Sequence, residues 1–315
     1  NDLNRRDFLR LSGIAGAGAV MVACGGAAPE SGGEAAAPAA EGGEAAPAAE
    51  SSASMGDVPR EKTMILMFGS DGSQFTDTGL GNPYATGATH QIGSAALWEP
   101  LVYYSAFAGE EIPWLATGYE YNDDFTELTV NLREGVEWSD GEPFDANDVA
   151  FTINMLRDNA PVLNFSTAVN SAVAEATAVD DLTVHIVFNE PRPRFMFNHL
   201  MSKFDTGLKW VPEHIYKDVE DVAAFEFYDP EKGWPLATGP YKITEWTPSQ
   251  KFIDRRDDWW AVKTGFAEKL PDIERILMIP RADDTLMTQR IVNNEVDSIL
   301  DLRANVIGQT VAQNP

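Results

Sequence analysis

The chain has 315 residues, a hydrophobic fraction of 44%, an aromatic fraction of 10% and a formal charge of −26. That length and composition supply packed cores for roughly two domains, at about 100–200 residues each. The charge argues against a general nucleic-acid binder and against adsorption to anionic lipid, because both need a basic face. It fits solubility outside the cell or adaptation to salt; a long-range field that draws in cationic ligands is the other reading. The single cysteine, Cys24, rules out an internal disulfide and any cysteine-cluster metal site.

Asn4-Arg5-Arg6-Asp7-Phe8-Leu9-Arg10 reads as a twin-arginine export signal, with Asn4 and Arg10 where Ser or Thr and Lys are commoner. The apolar stretch Leu11–Ala23 reaches roughly 20 Å as a helix, short of a ~30 Å hydrocarbon core, so it reads as a signal h-region and not as a permanent span. Met21-Val22-Ala23-Cys24 resembles a bacterial lipobox, with Met21 in place of Leu, which makes Cys24 the expected site of lipidation. Residues 1–24 are therefore read as signal. Residues 25–61, dominated at first by Ala, Gly, Pro, Glu and Ser, form a disordered linker, because such a segment buries too little apolar surface to offset its chain entropy.

From Lys62 the pattern changes. Thr63–Phe68 is an apolar run of strand length and reads as a buried strand. Residues 71–90, rich in Gly, Thr, Asn and Asp, read as a long loop of the kind that contacts ligands. Ile92–Leu101 reads as a helix, and Thr126–Leu132 alternates as a half-buried strand. A turn at Ser139–Glu142 precedes a helix N-capped by Asp145, with Asp148 adding negative charge to its first turn. Leu182–Phe188 is another alternating strand. Pro212–Val219 reads as a helix, Gly239–Trp246 and Lys251–Arg256 as a hairpin, Ile273–Ile279 as a strand, Asp284–Val292 as a helix and Ile299–Leu302 as the start of a strand. The order is mixed α/β.

No catalytic constellation stands out. His90, His185, His199 and His214 are scattered, no H-E-x-x-H pair or Gly-x-Ser-x-Gly elbow is present, and no cofactor or metal is expected. A glycosidase-like carboxylate pair and a purely structural surface lipoprotein remain as remote alternatives.

Several segments carry a resemblance to a known family: Leu97-Trp98-Glu99-Pro100-Leu101, Leu132–Gly141 running on to Asp148-Val149, Thr238-Gly239-Pro240-Tyr241 with Trp246, and Arg256-Asp257-Asp258-Trp259-Trp260. Asn294-Glu295-Val296-Asp297 echoes the family's Gly-Glu-(Ile/Val)-Asp. Physically these read as turns and packing. Together, over residues 63–303, the chain resembles the family 5 solute-binding proteins of ATP-driven importers for oligopeptides, dipeptides and nickel.

The resemblance implies an α/β, periplasmic-binding-protein-like fold of two lobes (type II) with an extra small α+β domain. Domain I would comprise 62–98 and 192–302, the small domain 99–191, and 303–315 would open a second lobe that is truncated here. It implies an anchored extracytoplasmic monomer that closes on an oligopeptide and delivers it to an ABC permease. An oligosaccharide is the runner-up, since eight tryptophans offer stacking surfaces, and nickel is third. By the same resemblance, Thr86, Gly87 and Ala88 are the expected ligand contacts, with Tyr84 and His90 as weaker neighbours.

Overall fold

The computed structural model describes residues 58–68, 74–75, 81–86, 88, 94–203, 207–299 and 304–313, all within one unit, Ser51–Pro315. The expected signal, Cys24 and most of the linker lie outside the described residues.

Three sheets organise the chain. The first has the order β12-β1-β11-β10-β9. It joins β1 (Thr63–Phe68) to strands from the other end of the sequence: β9 (Tyr241–Trp246), β10 (Lys251–Arg255), β11 (Arg275–Pro280) and β12 (Ser298–Ile299). β1 runs parallel to β11, Thr63 opposite Arg275, and parallel to β12, while β9, β10 and β11 are antiparallel neighbours. Thr63, Ile65 and Met67 of β1 are buried and the alternate residues half-buried, so the apolar run packs one face more tightly than the other.

The second sheet pairs β2 (Val102–Ser105) with β3 (Glu110–Pro113) as a hairpin and with the short β8 (Met201–Ser202) in parallel. The third, β4-β5-β7-β6, is antiparallel throughout: β4 (Ala116–Tyr121), β5 (Glu127–Leu132), β7 (Thr183–Phe188) and β6 (Val173–Asp180). Period-2 alternation turns Leu128, Val130 and Leu132 of β5 and Val184, Ile186 and Phe188 of β7 inward. The helix Ala146–Asp158 contacts β6 and β7 and buries Val149, Ile153 and Leu156 in the same apolar cluster. That cluster continues without a break into residues 195–261.

Asp145 N-caps this helix by accepting from the Asn147 amide at 2.8 Å, and Asp148 returns the bond to the Asp145 amide at 3.2 Å. The Asp/Asp spacing thus forms a capping box. Asp283 does similar work for the helix Asp284–Val292, accepting from the Thr285 and Leu286 amides.

Some elements differ from their sequence reading. Of the helix expected over 92–101, the described helical residues are Ser94–Leu97, and 98–101 lie beyond its end. Its last carbonyl, on Leu97, accepts from the Gly239 amide at 2.8 Å, so the next turn is replaced by a contact with a distant segment. The helix expected over 212–219 spans only Glu213–Tyr216; the Val219 amide bonds back to the Tyr216 carbonyl and closes a turn. The last expected strand is two residues, Ser298–Ile299, and 300–303 lie outside the described residues. β2, β3, β4, β6 and the helix Ser166–Ala172 are additional to the sequence reading.

Gly239 is required by close approach. A Cβ there would lie 2.5 Å from the Ala96 carbonyl oxygen and 2.6 Å from that of Leu97. Gly239→Ala is therefore expected to destabilise the fold by about 1–3 kcal/mol through overpacking, read as a lower urea midpoint. An unchanged midpoint would show that this junction can open at no cost.

Candidate ligand-binding site

The segment Gly81–Ala88, part of the long loop after β1, is held by three separate parts of the chain. Gly81 has φ +72, and a side chain there would overlap the Phe227 carbonyl. Asn82 is buried; its amide nitrogen donates to the carbonyls of Val222 at 2.7 Å and Phe225 at 3.1 Å, and its oxygen accepts from the Tyr84 amide at 3.0 Å. Asn82 thereby fastens the loop to 222–227.

Tyr84 is fully buried. Its hydroxyl donates to the Lys209 carbonyl and accepts from the Lys209 amide. Burial pushes the phenol far above its usual pKa, so it stays neutral. With its hydroxyl engaged both ways and its ring in the core, Tyr84 is a pin for the loop, and this geometry gives it no surface for a ligand. Asn164 makes the third attachment: its amide donates to the Tyr84 carbonyl at 2.9 Å and its side chain to the Ala85 carbonyl at 2.8 Å.

Beyond these pins the loop turns outward. The Ala88 amide donates to the Ala85 carbonyl at 3.0 Å, which closes a turn. Thr86 is exposed and its hydroxyl donates to the Val162 carbonyl at 2.7 Å. Exposed Thr86 and half-buried Ala88 thus adjoin the pinned residues 81–85. Gly87 and His90 lie outside the described residues. Asn82 and Asn164 were not singled out from sequence. The Gly81-Asn82-Pro83 turn composition was the available signal for the first; nothing local marks the second.

Behind the loop, the family motifs act as buried clamps. Glu99, 2% exposed, accepts from the indole nitrogens of Trp114 and Trp260, each at 2.8 Å. Burial pushes its carboxyl up to about 7, and the two indoles offset only part of that effect. Asp148 accepts from Trp138 Nε1 at 2.9 Å and from the Glu213 amide at 2.8 Å; burial raises it to about 6. Arg256, also buried, donates to the carbonyls of Ala237 at 2.9 Å and Trp138 at 3.4 Å and pairs with Asp258 at 2.8 Å. Asp297 accepts from the Ile65 amide at 2.7 Å. These residues hold segments together.

All eight tryptophans fall among the described residues and none is exposed. Trp98, Trp138, Trp210, Trp259 and Trp260 are buried. Trp114 packs against Tyr103 and Phe266, Trp234 against Phe225 and Phe227, and Trp246 against Tyr228. His185 pairs with Glu127 at 3.2 Å and His214 with Asp140 at 2.9 Å. Among the described residues no group of His, Cys, Asp or Glu could hold a metal ion, and no helix is long and apolar enough to cross a membrane.

A discontinuous α/β sheet, a helix-backed antiparallel sheet and a pinned loop after the first strand together define a periplasmic-binding-protein-like scaffold. The model of "Bacterial extracellular solute-binding proteins, family 5 Middle" matches residues 110–314, and the chain belongs to that family. It is 30% identical over 190 residues to a periplasmic alpha-galactoside-binding protein of Rhizobium meliloti, covering 56% of this chain and 27% of the relative. It is 25% identical over 231 residues to the dipeptide-binding protein of Escherichia coli, covering 67% and 40%. Among solved structures, a mannohexaose-bound periplasmic oligopeptide-binding protein of Thermotoga maritima matches with a TM-score of 0.63 and 25% identity, over 79% of this chain and 43% of that one. The chain therefore spans less than half the length of these relatives. They are solute-binding proteins, not enzymes.

Glu99 and Asp148 both have raised pKa values in the fold, so the native state holds protons that the unfolded chain releases. Their contribution is fully present below about pH 4 and is lost as pH rises through about 6 and about 7. Thermal stability is expected to decline between pH 5 and pH 8. Glu99→Gln, which cannot ionise, should lower stability overall but flatten that decline. An identical slope in the variant would remove Glu99 from the titration.

Proposed function

We propose that this chain is the ligand-capturing part of a membrane-anchored extracytoplasmic binding protein that takes up an oligopeptide and delivers it to an ABC permease. The observation that carries the reading is exposed Thr86, next to a segment pinned by Asn82, Tyr84 and Asn164. An immobilised turn can present backbone groups to an extended peptide without losing chain entropy on binding, and backbone hydrogen bonding is how extended peptides are held regardless of sequence. Thr86, Gly87 and Ala88 are the proposed contacts, with His90 beside them and Tyr84 as the pin beneath.

The sheet memberships support the proposed organisation: β1 and β9–β12 in a domain I of 62–98 and 192–302, and β4–β7 in a small domain of 99–191. The two share an apolar cluster, so they are proposed to move together. A second lobe opening at 303–315 would close the cleft. The permease, not this chain, would couple to ATP hydrolysis.

Oligosaccharide capture is the second reading. The names of the Rhizobium relative and of the mannohexaose-bound structure favour it. Burial of the tryptophans works against it on this lobe, because sugar stacking needs open aromatic faces. A ligand that binds only the native state raises stability by mass action. Full-length protein is thus expected to gain several degrees in thermal midpoint with mixed oligopeptides and none with cello-, xylo- or manno-oligosaccharides. The reverse pattern would replace the first reading by the second.

The proposed anchor is a lipid on Cys24, with 25–61 as its tether. Cys24→Ala should move the protein from the membrane to the soluble fraction on cell fractionation; retention on the membrane would sink the anchor.

A further inference from the structure

In a chain of formal charge −26, the stretch 192–203 gathers Arg192, Arg194, His199 and Lys203. The fold arranges Arg192, Arg194 and His199 around a cavity of about 320 Å³, walled also by Asn198 and by Ser171 at the end of the helix Ser166–Ala172. A single π-helical turn, Met196–Leu200, places Asn198 and His199 on this wall. Such widened turns recur at functional sites.

The cavity is rich in donors. Arg192 is fixed by Nη2, which donates to the Ser171 carbonyl at 3.0 Å and pairs with Glu190 at 2.7 Å. Its Nε–H is buried and has no acceptor among the described residues. The side chain is 33% exposed and its charge is paired with Glu190, so Nε–H is left as a donor that an acceptor from outside the protein can satisfy. Arg194 and Lys203 both lie over the Phe197 ring, at 4.9 Å and 4.2 Å. Burial, and then the charges of Lys203 and Arg192, push the His199 imidazole below its usual pKa, which marks positive potential at that wall. The helix end does not reverse this. The Ala168 carbonyl accepts from the Ser171 hydroxyl, and the Ser171 carbonyl from Arg192 and Asn189.

We propose that this pocket binds a small oxyanion, a phosphate or carboxylate group, with Arg192 Nε as its central donor and Arg194, Asn198 and His199 around it. No residue of the 81–88 loop takes part, so the site is separate from the proposed solute contacts. The volume suits a small anion or a single headgroup and is small for a peptide. The oxyanion could come free from solution or from the phosphate of a phospholipid, against which the tethered protein would rest.

The full chain carrying Cys24→Ala separates these sources. Titration calorimetry with inorganic phosphate and with acetate tests the free anion; co-sedimentation with phosphatidylglycerol vesicles tests the headgroup. Saturable uptake in at least one arm is expected, weakened about tenfold or more by Arg192→Lys, which keeps the charge but removes the Nε donor. Arg194→Gln, at an exposed position, should weaken it as well and carries the test if Arg192→Lys fails to fold, as judged by circular dichroism. No saturable binding in any arm, or binding that neither variant changes, would overturn the site.

Discussion

Glu99 accepts hydrogen bonds from two indoles, Trp114 at 15 residues' distance along the chain and Trp260 at 161. Removing a partner would leave a buried carboxyl oxygen unsatisfied, at its full desolvation cost. This carboxyl ties the segment after β1 to the segment after the β9–β10 hairpin. The Leu97 carbonyl and Gly239 make the adjoining contact, and Arg256 reaches from the same region to the carbonyls of Ala237 and Trp138. The discontinuous sheet depends on these joins, because β1 has no sequence neighbour in it.

The same logic positions the 81–88 loop. Its base is held by side chains that reach backbone groups at 209, 222 and 225 and by Asn164 reaching back to it. Thr86, next to these pins, is exposed. A binding protein needs such a contrast, since a contact surface that must order itself on binding loses affinity to entropy. The buried Tyr84 is the element on which the turn stands.

Charge is distributed with a purpose the net value hides. Many of the described cations pair with acids, as Arg275 does with Asp254 and Lys263 with Glu137. Around Arg192, which pairs with Glu190, one buried Nε–H is left without an acceptor among the described residues. A strongly acidic protein can thus hold a local surface for anions while its far field repels them.

The sequence alone determined the parts governed by short-range rules. Alternation along β5 and β7, the Asp145 N-cap and the helix Asp284–Val292 were legible because period, cap and turn chemistry act within a few residues. The family motifs were legible as a set, and their reading as packing agrees with the burial of Trp138, Trp259 and Trp260. Tertiary structure decided the rest. The 94–97 helix stops short of Pro100, which disfavours a helical Glu99, and distant Gly239 takes its last carbonyl. Weakly alternating β4 and β6 form because neighbouring strands supply their hydrogen bonds. Tyr84 became a pin and not a ligand contact because Lys209, 125 residues away, claims its hydroxyl. In each case the deciding partner is distant in sequence, and only the closed chain brings it within bonding range.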